Sequence, residues 1–420
     1  DSLCKSKGTN PKIIASTATI RRAKEQCSAL YNRNVVQFPA PGLDADDSFF
    51  ARESITDYKK GVFGRKYVGL MPSGKTKAMM EVRAIAALLQ KAKSMELSDE
   101  IKDKIWTLTV YFNSLKDLGK CTTLVDDDIK DFMIRMAIRL GSRFDARQLV
   151  GADELTSRVS TTELNETLDK LEKLEYSQEN IQNKKYASNI LLATNMISVG
   201  IDVARLNVML LVGQPKLTSE YIQASSRVGR SFPGTAFAMY DGSKSRDRSH
   251  FEQFKAYHES FYRFVEPTGV TPFSKPARDR ALHAVMTSLI RYSTGFGRDS
   301  DAINFDLEYH GEQIKAAKLF VLKRLDEINK RAGDGVTEDI SEVEAEIDLF
   351  LNEWQRLVET APNKALCFGK KFMVKSPSKD ERRLLKAFGT APYETYSMPT
   401  LTSMRNVDSS VAGNILIWED

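Results

Sequence analysis

Gln223, Arg227 and Arg230 fall at helical spacing inside residues 220–231 (EYIQASSRVGRS), with Gly229 between the arginines. The pattern predicts a short helix with all three polar groups near one end and the backbone relaxed at Gly229. A planar, always-charged guanidinium neutralises charge on a transferring γ-phosphoryl, and an arginine so placed is worth about 10³ to 10⁵ in rate. Two in one turn point to a nucleoside triphosphate close by. The same spacing also describes an ordinary solvated helix face, so the arginines alone leave both readings open.

The elements that would position them lie upstream. Residues 189–203 (NILLATNMISVGIDV) begin with an apolar run, pass Ala193-Thr194, and turn into Gly200-Ile201-Asp202. This reads as a buried parallel strand delivering polar groups at its carboxyl end, where open α/β sheets bind ligands. A second run, residues 207–212 (NVMLLV), follows and closes with Gly213-Gln214-Pro215, so strand, loop, strand and helix follow in order. Residues 106–115 (WTLTVYFNSL) form a third apolar strand ending in Asn113 and Ser114, and residues 12–20 (KIIASTATI) a fourth ending in Thr17-Ala18-Thr19.

In this order the segments resemble the later motifs of the superfamily 2 helicases. TAT at residues 17–19 is similar to the motif that couples ATP hydrolysis to strand movement, and YFNSL to the motif opening the second RecA-like domain. ATN through GID resembles the next, and Q through RxGR the last. The resemblance implies that Asn113, Ser114 and Thr194 touch the nucleic-acid backbone and that Gly200 and Asp202 lie in the nucleotide-facing loop. Gln223, Arg227 and Arg230 would reach ATP, and Thr17 and Thr19 would couple hydrolysis to movement. Ser226 departs from the pattern, since many members have glycine there. More narrowly, residues 245–282, YVGLMPSGKT and SMRNV together resemble the large helicase of DISARM-type prokaryotic phage-defence systems, whose relatives include helicases outside such systems. In the family the phosphate loop and the acidic metal-binding motif sit on a first RecA-like domain and precede the TAT strand. Only residues 1–11 precede it here. The resemblance thus implies the carboxyl half of a longer polypeptide, with ATP and Mg held mainly by that first domain.

Residues 69–76 (GLMPSGKT) satisfy the phosphate-loop pattern G-x-x-x-x-G-K-[ST], between a strand at residues 66–71 and an amphipathic helix at residues 77–93. As a phosphate loop, Lys75 would pair the γ-phosphate and Thr76 would hold magnesium. An apolar strand ending in a carboxylate should then follow, and CTTLVDDD has too little apolar run for one. A phosphate loop and arginine fingers in one RecA-like domain would also point at two different nucleotides. The run is therefore read as an incidental turn or a nucleic-acid backbone contact.

With 420 residues, 42% of them hydrophobic and 28% charged, the chain has material for two or three domains with sizeable cores. It has no run of eighteen apolar residues, so no membrane partner is expected. The four cysteines lack CxxC spacing, which argues against a zinc site or disulfide framework and for a reducing cytoplasm. His250 and His258 could share a helix face, yet no carboxylate or cysteine stands at ligand spacing, and no metal is assigned. A net charge of +5 does not demand nucleic acid, but KSRDR (residues 244–248), KPARDR (275–280) and KDERRLLK (379–386) are local clusters, several beside aromatics. Such clusters suit phosphate contact and base stacking. The run FEQFKAYHESFYRF, apolar at three- and four-residue intervals, reads as a helix core stripe ahead of a stacking platform.

The expected architecture is α/β, a RecA-like doubly wound, mostly parallel sheet with a helical carboxyl-terminal extension. Residues 1–60 would hold the TAT strand, a helix from Arg21 and a Pro/Gly/Asp-rich linker, residues 61–245 the second RecA-like domain, and residues 246–420 the extension with a small terminal cap. In the middle region Thr156, Ser157 and Arg158 suit either a phosphate contact or a helix-capping loop. In the extension, residues 311–331 and 338–360 predict a helical hairpin whose lysine-rich and acidic arms attract each other or bind different partners. The expected activity is that of an ATP-dependent helicase or translocase, with DNA ahead of RNA as the track and protein partners on the extension. Two alternatives are a non-enzymatic scaffold with the same fold and a self-contained phosphate-loop protein.

Overall fold

The computed structural model describes residues 8–17, 19–38, 49, 55–139, 141, 145–156, 158–159, 161–195, 203–267, 269–332, 337–361, 365–369, 382–387 and 397–401. Two compact units emerge, residues 1–22 with 37–268, and residues 23–36 with 269–420. The chain runs α1 (Ala23–Tyr31), β1 (Arg65–Leu70), α2 (Lys77–Ser94), α3 (Asp99–Trp106), β2 (Leu108–Phe112), α4 (Leu115–Leu124), α5 (Lys130–Arg139) and β3 (Asp153–Leu155). It continues through α6 (Thr161–Lys173), α7 (Gln178–Gln182), β4 (Ile190–Ala193), β5 (Val208–Val212), α8 (Thr218–Ser225), β6 (Gly234–Met239), α9 (Ser245–Glu252) and α10 (Phe254–Glu259). Three long helices follow, α11 (Lys275–Thr294), α12 (Gly311–Ala332) and α13 (Ile340–Thr360), with four short strands beyond them.

The first unit is a six-stranded sheet in the order β1-β6-β5-β2-β4-β3, parallel at every pairing. Its middle strands are mostly apolar because both faces are covered, with Thr109 of β2 the buried polar exception. Leu108, Val110 and Phe112 of β2 face one core with Ile85 and Leu89 of α2, Leu118 of α4 and Met133 of α5. Tyr111 turns to the other core, with Leu171 of α6 and Tyr221 and Ala224 of α8. The connections out of β1 and β2 cover the first face, and those out of β3 and β5 the second. The sheet is therefore doubly wound, and the chain reverses direction across it between β5 and β2. Serine and threonine caps start the helices locally. Thr76, Ser98, Ser114 and Ser177 each accept a backbone N–H from the first turn of α2, α3, α4 and α7, a contact worth about 1 kcal/mol.

Some expectations need correction. Residues 12–17, 19 and 20 form no strand, and Ile14 is 84% exposed. An apolar strand is buried only between pairing neighbours, and every pairing in this sheet is made among β1 to β6. Trp106 closes α3 instead of opening β2; CTTLV, as its short apolar run implies, forms no strand and belongs to α4 and the π-turn Val125–Ile129 that follows it. The aromatic run of residues 251–264, expected to be one helix with a core stripe, is split over α9, α10 and a 3-10 turn at Phe261–Phe264; part of it is core, while Tyr262 and Phe264 are exposed. Phe251, Phe254, Tyr257 and Phe261 pack on the second face of the sheet with Tyr67, Tyr221 and Tyr240.

In the second unit α12 and α13 form the expected hairpin around Val321, Leu325, Ile347 and Trp354. Trp354 stacks on Phe305 with ring centroids 4.1 Å apart and donates its Nε1–H to Ala302 O. The arms attract each other, Lys318 of α12 reaching Glu344 and Asp348 of α13. Arg278 of α11, the centre of the KPARDR cluster, is buried and pairs with Glu338, Glu342 and Glu346. That side chain is accordingly internal, while Lys275, Asp279 and Arg280 of the same cluster stay exposed.

Candidate functional site

The expected site residues divide between the two edges of the sheet. Asn113, Ser114 and Thr194 stand at the carboxyl ends of β2 and β4, beside the point where the connections reverse. Asn113 Nδ2 donates to Gln214 O, 3.3 Å away at the end of β5. Gly213 between them has φ +88°, and a Cβ there would stand 3.2 Å from Asn113 Nδ2 and 3.7 Å from Asp247 Oδ2. Asp247 is buried and accepts the Asp241 N–H at 2.9 Å, which draws α9 onto this edge. Ser114 Oγ accepts from Asp117 N and donates to Asp117 Oδ2, so its hydroxyl caps α4. Thr194 is 1% exposed, and its Oγ1 has no hydrogen-bond partner among the described residues. Gly200 and Asp202 lie outside the described residues.

The arginine turn sits at the opposite, amino edge. Helix α8 leaves the carboxyl end of β5 and runs back along the sheet to where β6 begins. Gln223 is in its last turn, with Arg227 and Arg230 just past its end, Arg227 half-buried and Arg230 exposed. Arg230 Nε donates to Ser226 O at 3.2 Å. Ser226, where glycine is common, directs its hydroxyl back to Gln223 O at 2.9 Å. Gly229 has φ +69°, and a Cβ there would meet Gly234 Cα at 2.8 Å, so two backbones touch and only glycine fits. Gln223 Nε2 donates to Thr19 Oγ1 at 3.3 Å, and Thr17 and Thr19 close a local turn through Thr17 Oγ1. Thr19 thus lies against the last turn of α8, just before the arginine turn.

Both ends of α8 are tied. At its start Glu266 accepts from Thr218 N at 2.9 and 3.0 Å and from Thr218 Oγ1 at 3.0 Å, placing a carboxylate on the helix N-terminus. Arg21, two residues past Thr19, donates to Val265 O at 3.3 Å. In mid-helix the Tyr221 hydroxyl is 2.7 Å from His258 Nε2, while His258 Nδ1 is 2.7 Å from Phe254 O. Burial holds the His258 pKa below the usual imidazole value, against the raising influence of the Phe254 carbonyl. Burial likewise pushes the Tyr221 phenol well up.

Other sequence candidates have internal partners. Arg158 forms a two-pronged pair with Glu154 at 2.6 Å, and Thr156 Oγ1 donates to the same carboxylate. Within KSRDR, Arg246 donates to Pro215 O and Lys216 O, and Arg248 to Gly242 O. The GLMPSGKT turn follows the edge strand β1. Ser73 to Thr76 are exposed, and Gly69 makes room for the Phe254 ring, whose Cδ2 would lie 2.9 Å from a Cβ there. Sequence reasoning missed Arg65 and Glu266, since a single charged residue beside a strand or a proline carries no pattern, and it passed over Asp247 inside KSRDR, where the basic neighbours drew the reading toward phosphate.

Residues 139–232, which span the carboxyl-edge loop of β4 and the arginine turn, match the helicase conserved C-terminal domain. The chain is 38% identical over 414 residues to the DISARM protein DrmA of Bacillus paralicheniformis, an alignment covering 97% of this chain. It spans 35% of that relative's length. Among solved structures it is similar to the Mycobacterium smegmatis helicase Lhr bound to ssDNA and AMP-PNP, at 14% identity and TM-score 0.37, covering 68% of this chain and 30% of that one. It is also similar to the DUF1998 helicase MrfA bound to DNA, at 14% identity and TM-score 0.36, covering 54% and 27%. No helix among the described residues is long and apolar enough to cross a membrane. The parallel doubly wound sheet of the first unit is RecA-like, and the family match together with the DrmA relative makes the chain one that resembles the C-terminal half of a superfamily 2 helicase of the DISARM kind.

Proposed function

We propose that this chain is the carboxyl-terminal half of an ATP-dependent nucleic-acid translocase or helicase acting in prokaryotic anti-phage defence. Arg227 and Arg230 extend toward ATP and Mg held mainly on a first RecA-like domain, and Gln223 orients the same edge. Asn113, Ser114 and Thr194 meet the nucleic-acid backbone from the opposite edge, and Gly200 and Asp202 join the nucleotide side. ATP supplies the phosphoryl chemistry when bound; this chain's contribution is positive charge in a fixed place. The carrying observation is the turn after α8, where Gly229 packs on Gly234 and the exposed Arg230 is tethered to Ser226 O. Its fit to a triphosphate is that of an outward-facing guanidinium beside a second one on a rigid support. The Gln223–Thr19 bond supports coupling, since a change at the arginine edge is passed to the segment holding Thr17 and Thr19. The domain division at about residues 60 and 245, the cytoplasmic setting, DNA as the track ahead of RNA, and protein partners on the helical hairpin belong to the same proposal.

The test is nucleic-acid-stimulated ATPase by a polypeptide in which this chain follows a first RecA-like domain, with DNA and RNA compared. Loss of activity in Arg230→Ala with retention in Lys75→Ala is expected. The reverse pattern would relocate the nucleotide to GLMPSGKT, and complex formation without any ATPase would favour a scaffold.

A further inference from the structure

We propose that Arg65 is a positioning residue for the arginine turn, holding its carbonyls from β1 so that Arg227 and Arg230 are presented in one geometry; this rests on the nucleotide role proposed above. Helix α8 ends at Ser225, and the carbonyls beyond a helix end have no partners within it. Arg65 supplies them, Nε donating to Val228 O at 2.7 Å and Nη2 to Ser226 O at 3.2 Å. A guanidinium offers both donors in one rigid plane, which an ammonium cannot. Its charge also suits the negative end of the helix dipole.

Ser226 O is shared, accepting from Arg65 and from Arg230 Nε, also at 3.2 Å. One oxygen therefore joins the guanidinium that holds the turn to a guanidinium that is presented. Tyr67 extends the brace, its hydroxyl 3.5 Å from Arg65 Nη1 and 3.2 Å from Ser225 Oγ. Arg65 is itself fixed in the sheet as the register partner of Gly234, the residue whose backbone abuts Gly229. The turn is held on two sides, by Gly234 and by Arg65, and removing the side chain frees one side while leaving both presented arginines in the chain.

Steady-state ATPase of the polypeptide carrying a first RecA-like domain tests this, with Arg65→Ala, Arg65→Lys, Arg230→Ala and the Arg65→Ala/Arg230→Ala double variant. Because a displacement of about 1 Å can cost about 10²-fold, Arg65→Ala should lower kcat at least about tenfold, with KM for ATP and nucleic-acid Kd within about twofold. Arg65→Lys should recover part of the loss, and the double variant should be slower than Arg230→Ala by less than the full Arg65→Ala factor, because only the share that acts through Arg227 is left to lose. Rates are referred to the folded fraction, measured by thermal unfolding. An Arg65→Ala enzyme that is less stable but unchanged in kcat per folded molecule, or losses that multiply in the double variant, would overturn the positioning role. Arg230→Ala without effect would instead remove the nucleotide reading, and the Arg65 proposal with it.

Discussion

The turn of residues 69–76 and the turn of residues 226–230 each set a positive-φ glycine directly before a long cation, Gly74 before Lys75 and Gly229 before Arg230. Their surroundings differ. Around Gly74 a Cβ would meet nothing within 4 Å, and Ser73 to Thr76 are all exposed on the edge of the sheet. Around Gly229 the Gly234 backbone lies in contact, Arg65 grips Val228 O and Ser226 O, and Thr19 meets Gln223. Glycine in the first turn answers only a local backbone demand. In the second it answers a packing demand set by strands far away in sequence. A cation is held in place by what fixes the backbone beneath it, and the second turn alone has that support.

The sharpest way to break the contrast is kinetic. Arg230→Ala should cost about 10³ or more in kcat in a polypeptide bearing a first RecA-like domain, while Lys75→Ala should leave ATPase within about twofold. Equal losses would make the two turns equivalent and remove the distinction drawn from their supports. Next comes stability. Gly229→Ala adds a Cβ against Gly234 and strains a left-handed backbone, a cost of about 1–3 kcal/mol or more. Gly74→Ala pays only for the left-handed backbone, about 1 kcal/mol. Urea unfolding of the two variants measures the difference, and matched midpoints would show that the Gly229–Gly234 contact relaxes without penalty.

The smallest effect concerns the helix that carries the second turn. Burial depresses the pKa of His258 and of His250, so the unfolded chain binds protons at these sites more readily than the folded one. Stability is fully present above the unfolded value, about 6.5, and declines as pH falls below it toward the folded values. Each site contributes at most about 1.4 kcal/mol per pH unit within that window. Thermal unfolding of His258→Gln should show a shallower acid decline than the parent, His250 retaining its share. An unchanged slope would mean that the Tyr221–His258 contact does not govern α8 in acid.

Much of the α/β unit was legible in the sequence because burial on both faces of a parallel sheet leaves uninterrupted apolar runs. Residues 190–193 and 208–212 therefore read directly as β4 and β5, and the spacing of Gln223, Arg227 and Arg230 as the end of α8. The TAT segment reads in sequence as an apolar strand and forms none among the described residues, since an apolar run states the need for neighbours without supplying them. Within the basic clusters one member misled for the same reason. Arg278 looks like surface charge in sequence and is buried against three carboxylates in the fold, whereas Arg246 and Arg248 stay exposed while donating to nearby carbonyls.

By itself the sequence determined local matters: which runs are strands or helices, which polar groups stand at strand ends, where caps and left-handed glycines fall. Those follow from side-chain periodicity and backbone sterics over a few residues. Tertiary structure alone decided which of two similar turns is supported, that Asn113 and Arg230 occupy opposite edges of one sheet, and that Glu266 caps the helix bearing the arginines. Arg65 and Val228 are 163 residues apart and bonded at 2.7 Å. No local pattern encodes that contact, because it exists only once six strands have paired.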